Sequence, residues 1–110
     1  MFLKDVIHWN RWREQNPQSR PDFRGADFSG KDLRAHDFSS ADLMGADFRN
    51  TGLIKADFTA ADLSEADLSN ARLQQAKLMK SDLSGASLDG ANLNGANLTG
   101  TIMPDGLVQD

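Results

Sequence analysis

From residue 21 onward, a large apolar side chain recurs at every fifth position of the chain. Cutting residues 21–105 into fives gives 17 blocks, and the third residue is Leu or Phe in 16 of them, with Met103 as the exception. The first residue is Ala in 11 blocks and the second is Asp in 10. An α-helix, at about 100° per residue, would scatter these positions around its axis, and a regular strand would alternate them between two faces. Neither regular element therefore gives this sequence one continuous core.

Within each block, the order of polar and apolar residues predicts a short extended edge followed by a corner. The first and third residues are apolar and would point to one side of an extended segment, with the polar second residue on the other side. The fourth and fifth residues are mostly Ser, Thr, Asn, Gly or charged, which is typical of turns. Repeated edges and corners close into coils that stack on one another, so the pattern predicts an all-β solenoid.

The third residues of the blocks are the predicted inward-facing core centres. Their order favours a coil of four blocks, because a 20-residue step places Phe28 on Phe48 and Phe38 on Phe58. A 15-residue step would place Phe28 on Leu43 and mix the two residue types. The 17 blocks then make about four coils. The expected core centres are Phe28, Leu33, Phe38, Leu43, Phe48, Leu53, Phe58, Leu63, Leu68, Leu73, Leu78, Leu83, Leu88, Leu93 and Leu98.

The first 16 residues, MFLKDVIHWNRWREQN, predict a short α-helix from about Phe2 to Gln15. At about 100° per residue, its large apolar residues fall on one arc that could cover the unpaired edge of the first coil. Pro17 ends the helix, because the residue before a proline is disfavoured in the α region. The residues expected to form this N-terminal cap are Val6, Trp9 and Trp12.

These patterns divide the chain into three parts. Residues 1–20 form the capping helix and a linker, residues 21–105 form the solenoid, and residues 106–110 form a C-terminal tail. A solenoid whose last coil is uncovered exposes strand edges that can pair with another copy. We therefore expect an end-to-end homodimer through the C-terminal coil, near Ile102, Met103 and Leu107.

Composition narrows the function classes. The 110 residues include 12 Lys and Arg, 16 Asp and Glu and no Cys, which gives a net charge of −4. An acidic balance argues against direct nucleic-acid binding, and the absence of Cys excludes disulfides and zinc–thiolate sites. No apolar run reaches the ~20 residues of a membrane span. Lys4, Asp5 and His8 interrupt the apolar start that a secretory signal would need, so we expect a cytoplasmic protein without a membrane partner.

The tandem pattern A-(D/N)-L-x-x is similar to that of the pentapeptide-repeat proteins. The resemblance covers 85 of the 110 residues, and 16 of the 17 block centres match. It implies a right-handed quadrilateral β-helix with four blocks per coil. The segment WNRWREQNPQSRPDF also resembles the N-terminal cap of short bacterial, notably cyanobacterial, members of this family.

With four blocks per coil, charge separates between the sides of the solenoid. Faces one and two are residues 21–30, 41–50, 61–70 and 81–90, and faces three and four are the remaining tens up to residue 100. Faces one and two hold nine acidic residues and two arginines, whereas faces three and four hold six cationic and three acidic residues. The candidate acidic interaction face consists of Asp22, Asp42, Asp62 and Asp82 in one column, with Asp27, Asp47 and Asp67 in the next.

Three interpretations of this acidic face stay open at the level of sequence. It is a by-product of a repeat in which Asp bonds the backbone of its own turn, a surface that recruits a basic partner, or a mimic of DNA phosphates. Pentapeptide-repeat proteins of similar pattern bind type II topoisomerases and protect them from quinolones. This chain has fewer coils than those relatives and lacks their C-terminal dimer helix.

No catalytic, cofactor-binding or metal-binding residue is predicted. His8 and His36 are the only histidines, and GxSxG, P-loop and GxGxxG motifs are absent. His36 and Lys31 stand at first positions of blocks where Ala dominates, and we expect them at an open end of the stack beneath the helix. The sequence therefore predicts a non-catalytic scaffold that binds a protein partner, basic in chemistry, through its outer faces. The alternative is a DNA-mimicking binder or inhibitor of a type II topoisomerase, such as gyrase, or of another DNA-binding protein.

Overall fold

A computed structural model describes residues 5–110 of the chain. Its one helix within that range, α1, comprises Val6–Gln15. The side chain of Asp5 caps α1, because its Oδ1 accepts a hydrogen bond from the backbone N–H of His8 at 2.8 Å. The helix ends at the predicted residue, and its predicted start at Phe2 lies outside the described residues. No helix in this part of the chain has the length and apolarity needed to cross a membrane.

After a linker, the backbone forms coils of 20 residues that are joined by parallel β-bridges. One column of bridges joins Asp22, Asp42, Asp62, Asp82 and Ile102 in turn. Three equivalent columns begin at Asp27, Asp32 and Asp37, so each coil contains the four blocks that the Phe and Leu order predicts. Only the second residue of each block forms a bridge, and residues 5–110 contain no longer strand. The short extended edges expected from sequence are thus single-residue bridges between turns.

Each coil is hydrogen-bonded to the next in a repeating ladder. The N–H of Leu63 donates to the carbonyl of Asp82 at 2.8 Å, and the N–H of Glu65 donates to the carbonyl of Ser84 at 2.9 Å. In the other direction, the N–H of Asp82 donates to the carbonyl of Ala61 at 3.0 Å. N–H groups at third and fifth positions therefore face the following coil, and those at second positions face the preceding coil.

The 16 blocks of residues 21–100 each turn their corner at the fifth residue, where φ is positive. Across residues 25–100 these φ angles lie between 57° and 73°. The N–H of Ala66 closes one such turn by donating to the carbonyl of Leu63 at 3.1 Å, and a positive φ at the third turn residue is the feature of a type II turn. At Gly85 an ideal Cβ would lie 2.5 Å from Oε1 of Glu65, so glycine leaves the room that the glutamate side chain fills.

The third residues of the blocks fill the interior of the coils. Every one from Phe28 to Leu83 is buried. The aromatic columns form as predicted: the rings of Phe28 and Phe48 stack at 5.0 Å, and those of Phe38 and Phe58 stack at 5.4 Å. The 20-residue coil is therefore stabilised by stacking of like side chains as well as by the backbone ladder.

The three hydroxyl residues that replace inward-facing Ala are hydrogen-bonded locally. The hydroxyl of Thr51 donates to the carbonyl of Phe28 at 3.0 Å. The hydroxyls of Ser81 and Thr101 both donate to the carbonyl of Leu78, at 2.8 Å and 2.5 Å. These bonds remove the desolvation cost that an unpaired buried hydroxyl would carry.

The last coil leaves the core open at its C-terminal end. The tail folds back so that Val108 pairs antiparallel with Ile102, but Leu107 and Val108 remain 69% and 63% exposed. The tail therefore covers the outer edge of residues 101–103 and does not cover the core. The three last core centres are only half-buried, because no coil stacks on them; they are Leu88, Leu93 and Leu98.

Candidate interaction surface

The aspartates at the second positions of the blocks each close a turn of their own backbone. Oδ1 of Asp62 accepts hydrogen bonds from the N–H of Ser64 at 3.0 Å and from its hydroxyl at 2.6 Å. Asn92 and Asn97 accept the equivalent N–H bond with their amide oxygens, each at 3.0 Å. This side-chain bond therefore needs an oxygen acceptor at the second position and does not need a negative charge. The other aspartates that make this bond are Asp22, Asp27, Asp32, Asp37, Asp42, Asp47, Asp57, Asp67 and Asp82.

Near the N-terminal end, arginines neutralise part of the acidic face. Arg24 lies 2.9 Å from the carboxylate of Asp22 and 3.6 Å from that of Asp42. Arg49 lies 2.7 Å from the carboxylate of Asp47. The hydrogen bonds from the Arg49 side chain lower the pKa of Asp47 below its ordinary value, and Asp47 in turn raises the pKa of Arg49. In the first two coils, Asp22, Asp42 and Asp47 therefore each have an arginine within 4.0 Å, and Asp27 has no such partner among residues 5–110.

The third and fourth coils carry carboxylates without such partners. Within residues 5–110, no cationic side chain approaches Asp62, Glu65, Asp67 or Asp82 within 4.0 Å, and we call these four residues the acidic patch. The bridges place Asp62 beside Asp82, with Asp67 in the adjacent column, and Glu65 extends over Gly85 at the corner between them. Like charges stacked about 4.8 Å apart repel one another, so the patch is a concentrated negative surface.

The opposite side of the solenoid is basic. Lys55, Arg72 and Lys77 lie on faces three and four without an ion pair among the described residues, whereas on the first coil Asp32 pairs with a neighbouring arginine. At Gly52 an ideal Cβ would lie 3.0 Å from Nη2 of Arg72, so the guanidinium crosses the space that a side chain would occupy. Charge is therefore separated across the third coil, as the four-block coil predicts.

A shallow groove of about 520 Å³ lies beside the start of α1. Its wall includes His36, which is 4% exposed and whose Nδ1 lies 3.1 Å from the carbonyl of Arg34. Nε2 of His36 has no hydrogen-bond partner and is shielded from solvent, so it is not presented to the groove. Among residues 5–110, no three His, Asp or Glu side chains converge where they could hold a metal ion. The other groove residues are Asp5, Val6, Asp32, Arg34, Ala35, Ile54 and Lys55.

His36 is thus buried beneath the helix, at the end-of-stack position expected from sequence. Its ring lies nearly parallel to that of Phe38, with centroids 6.0 Å apart. Lys31, the other large residue at a first position, is exposed. The helix covers the fourth face of the first coil, where His36 lies, and leaves the third face open for Lys31.

α1 docks on the first coil through one aromatic and two polar side chains. Trp9 is 2% exposed, and its Nε1 donates to the carbonyl of Asp37 at 2.8 Å. Oδ1 of Asn10 accepts from the N–H of Asp37 at 2.9 Å. Arg13 is 5% exposed, and its guanidinium donates to the carbonyl of Ser39. These contacts join the helix to the backbone of the fourth face.

The N-terminal cap differs from the apolar arc predicted by sequence. Trp12 is 37% exposed and stacks on the outer side of Trp9, with ring centroids 5.6 Å apart, and Val6 is half-buried. The edge of the coil presents N–H and C=O groups that need polar partners, so α1 turns Asn10 and Arg13 toward it in place of Trp12. A search for apolar periodicity misses Asn10 and Arg13 because both are polar. Arg13 follows Trp9 by four residues, and this spacing is the sequence signal that places Arg13 on the same helix face as Trp9.

The five-residue repeat matches a known family of sequences. The family model described as "Pentapeptide repeats" matches residues 22–53, 41–78 and 66–103. The chain belongs to the pentapeptide-repeat family. The matched stretches cover the solenoid and stop before the C-terminal tail, and they do not reach α1.

Solved pentapeptide-repeat structures include similar chains. HetL of the cyanobacterium Nostoc sp. strain PCC 7120, a pentapeptide-repeat protein involved in heterocyst differentiation regulation, is 38% identical over 83% of this chain and 50% of its own, with a TM-score of 0.40. The protein alr5209 of Nostoc PCC 7120 is 35% identical over 76% of this chain and 74% of its own, with a TM-score of 0.44. QnrB1, a plasmid-mediated fluoroquinolone resistance protein, is 27% identical over 73% of this chain and 51% of its own, with a TM-score of 0.46. The chain thus spans half the length of HetL, and no curated protein matches it.

The turn aspartates of this pentapeptide-repeat protein predict a defined acid sensitivity. Two hydrogen bonds lower the pKa of Asp27 in the folded chain: the larger effect comes from the hydroxyl of Ser29, and the smaller one from the backbone N–H of Ser29. Ionised Asp27 therefore stabilises the fold above the unfolded-state value of about 3.9, and this contribution is lost as pH falls through the lower folded-state pKa. We expect Asp27→Asn to be less stable than the unmodified chain at neutral pH, with the difference shrinking below about pH 4. Urea unfolding across this pH range measures it, and a difference that grows on acidification would contradict the assignment.

Proposed function

We propose that this protein is a non-catalytic interaction scaffold of the bacterial cytoplasm that binds a basic protein partner through the acidic patch. The observation that carries the proposal is the gathering of unpaired carboxylates at Asp62, Glu65, Asp67 and Asp82. The side chains of Asp62, Asp67 and Asp82 each use Oδ1 for a turn bond. Oδ2 of each is left for a partner. A concentrated charge of one sign steers an oppositely charged partner and accelerates its association.

The position of the negative charge favours the explanation that the acidic patch is a functional surface over the explanation that it is a by-product of the repeat. Asn92 and Asn97 close the same turn without charge, and Arg72 and Lys77 occupy second positions on the other faces. The coil therefore forms with neutral or cationic residues at this position, and its geometry does not require the neighbouring carboxylates of Asp62, Asp67 and Asp82.

The proposal predicts that a cationic probe binds the patch. We expect a decalysine peptide to bind the protein at low salt, and Asp62→Asn with Asp67→Asn and Asp82→Asn to weaken binding by about tenfold, because each exposed charge pair contributes about 0.2–1 kcal/mol. Asn retains the turn bond, so the fold is preserved. Calorimetric titration at two salt concentrations measures the effect.

Asp57→Asn is the matched control for this titration. Asp57 closes its turn through the N–H of Thr59 at 2.9 Å, but it lies on the fourth face. We expect its substitution to leave the affinity nearly unchanged. Asp62→Asn alone is titrated beside it as the single-site comparison. Equal losses for Asp57→Asn and Asp62→Asn, or binding that is insensitive to salt, would exclude recruitment through the patch.

The alternative function is mimicry of DNA at a type II topoisomerase such as gyrase, or at another DNA-binding protein. The carboxylate columns repeat every ~4.8 Å along the solenoid, which is similar to the spacing of phosphates along a strand. About four coils make a rod of ~20 Å, the length of only about six base pairs, so this alternative is the weaker one. If it holds, the protein inhibits gyrase supercoiling and the triple Asp→Asn variant does not. Supercoiling that proceeds unaffected by the unmodified protein removes this alternative.

We also propose that two copies associate through their C-terminal coils. The support is the half-buried trio of Leu88, Leu93 and Leu98, whose N–H groups find no acceptor among residues 5–110. Met103 and Leu107, which sequence also favoured, pair within the chain, since the N–H of Met103 donates to the carbonyl of Leu107 at 2.8 Å. Light scattering should show a dimer that Leu93→Lys dissociates, and a monomer at high concentration contradicts the proposal.

The finer architecture follows the family resemblance. We take the solenoid to be a right-handed quadrilateral β-helix over residues 21–105, with residues 1–20 as its cap and linker and residues 106–110 as its tail. The four bridge columns support a four-sided coil.

A further inference from the structure

Side chains of α1 form hydrogen bonds with the backbone at the outer edge of the first coil, on its fourth face. Asn10 Oδ1 accepts from the N–H of Asp37, Trp9 Nε1 donates to the carbonyl of Asp37, and the Arg13 guanidinium donates to the carbonyl of Ser39. One backbone donor and two backbone acceptors of this edge are thus satisfied without a neighbouring coil.

These are the same backbone positions that join one coil to the coil before it. One coil later, the N–H of Asp57 donates to the carbonyl of His36 at 2.9 Å, and the carbonyl of Asp57 accepts from the N–H of Phe38 at 2.7 Å. The carbonyl of Thr59 accepts from the N–H of Ser40 at 2.8 Å. The three α1 side chains therefore reproduce, bond for bond, the contact of a preceding coil on this face.

The C-terminal end offers the complementary edge. In the interior coils, N–H groups at third and fifth positions donate to the next coil, but those of Leu88, Gly90, Leu93, Gly95 and Leu98 have no acceptor among residues 5–110. On the first three faces of the first coil, the N–H groups of Asp22, Asp27 and Asp32 likewise have no acceptor in the described part of the chain. These N–H groups alternate with carbonyl groups that accept no backbone hydrogen bond from residues 5–110, such as that of Asp27 at one end and that of Ala91 at the other. The two ends therefore match, because the donors of each end would face the acceptors of the other.

Continuing the five-residue register from one copy into the next fixes which residues would meet. The block after residues 101–105 would be residues 21–25 of a second copy, so that residues 86–100 would stack under residues 21–35, and residues 101–105 under residues 36–40. The bridge positions that would meet are Ser87 with Asp22, Asn92 with Asp27, Asn97 with Asp32, and Ile102 with Asp37. No aspartate would face another aspartate, in contrast to the columns within the chain.

The last of these contacts is blocked from both sides. On the first coil, α1 occupies the outer edge of residues 35–39. On the last coil, the tail occupies the outer edge of residues 101–103: the N–H of Gln109 donates to the carbonyl of Thr101 at 2.8 Å, and the carbonyl of Gln109 accepts from the N–H of Gly100 at 2.8 Å. The tail and the helix therefore cover the two edges that would meet if residues 101–105 of one copy stacked under residues 36–40 of the next.

We propose that α1 and the C-terminal tail are paired plugs that keep this solenoid from stacking head to tail with a second copy, and that the open faces form a copy-specific docking surface once both plugs are displaced. The occupant is a second copy because its free hydrogen-bond groups, core residues and bridge charges all fit the same register. This assembly is separate from the proposed C-terminal dimer, which joins like ends and stops at two copies.

The test uses the full-length chain with each plug loosened by substitution. Asn10→Ala with Arg13→Ala removes two of the three side-chain contacts of α1 and leaves Trp9 in place. Gln109→Pro removes the N–H that holds the tail to Thr101. A red shift of the Trp9 fluorescence verifies that α1 has been released, because Trp9 is 2% exposed while the helix is docked.

We expect each loosened plug alone to leave the assembly state of the unmodified chain unchanged, and the two together to produce rods. Small-angle scattering should show a constant cross-section and a length that grows by about 20 Å per copy, since each copy adds about four coils at ~4.8 Å. Adding Asn92→Asp and Asn97→Asp to the doubly loosened chain should abolish the rods at low salt, because each then faces an aspartate of the next copy. Asp forms the same turn at other positions, so this control preserves the coil.

Three results would overturn the proposal. The doubly loosened chain could keep its β-helix and form no rods, loosening α1 alone could give the full assembly, or Asn92→Asp with Asn97→Asp could leave the rods intact. If the variant with Asn10→Ala, Arg13→Ala and Gln109→Pro unfolds, Asn10→Ala with Gln109→Pro replaces it. This milder variant should give the same assembly at a higher protein concentration. Amorphous aggregation without growth in rod length also counts against head-to-tail stacking.

Discussion

Leu63→Ala is expected to lower the free energy of unfolding by about 2–5 kcal/mol. Leu63 is fully buried in the middle of the stack, and its N–H is bound to the carbonyl of Asp82 at 2.8 Å. The substitution removes buried methyl groups from an interior that coils on both sides hold in place, so the cavity cannot collapse easily. Urea unfolding followed by far-UV circular dichroism gives the change.

Leu98→Ala is the matched control for this measurement. Leu98 occupies the same block position but is half-buried at the uncovered end of the core. We expect a markedly smaller loss, because fewer contacts are removed and the site is already open to water. Equal losses at both positions would contradict the order of burial along the solenoid. Ser64→Ala is a poor control, because Ser64 is 8% exposed and its hydroxyl donates to Oδ1 of Asp62 at 2.6 Å.

Trp9→Ala should cost about 3–5 kcal/mol, the range for deletion of a large buried aromatic side chain. The indole packs against Phe23 and Phe38, with ring centroids 5.8 Å and 6.1 Å away. Its loss also leaves the carbonyl of Asp37 without the donor at Nε1. Denaturant unfolding measures the loss of free energy. The Trp9→Ala variant should also unfold faster than the unmodified chain.

Trp12→Ala is the control that separates the loss of the buried cap contact at Trp9 from the general effect of deleting a tryptophan from α1. Trp12 stacks on the outer side of Trp9, so its removal should cost only about 0.5–1.5 kcal/mol. The two variants also differ in fluorescence: Trp12→Ala should retain the emission of a buried indole, whereas Trp9→Ala should show that of an exposed one. A larger loss for Trp12→Ala would reverse the assignment of the cap.

The solenoid could be predicted because its determinants repeat. Leu or Phe recurs at the third position of 16 blocks and Ala at the first position of 11, and the order of Phe28, Phe38, Phe48 and Phe58 selects the 20-residue coil. The ends of the solenoid occur once each and lack this redundancy. The polar contacts of Asn10 and Arg13 depend on which backbone groups the first coil leaves unpaired, and the sequence alone does not show that edge.

The acidic face could be predicted only in part. Sequence places Asp22, Asp42, Asp62 and Asp82 in one column, and the bridges agree. It does not show that Arg24 and Arg49 neutralise the first coils, since both ion pairs depend on side-chain directions at the turns. The unpaired patch in the third and fourth coils emerges only when these pairs are known.

Amide NOE spectroscopy of the isotope-labelled protein tests whether the chain winds into coils of 20 residues. We expect contacts between residues 20 apart at the bridge positions, such as Asp47 with Asp67 and Asp62 with Asp82. Bridge contacts at separations of 15 or 25 residues, or helical contacts through residues 21–105, would contradict the coil on which the core, the acidic patch and the plugs all depend.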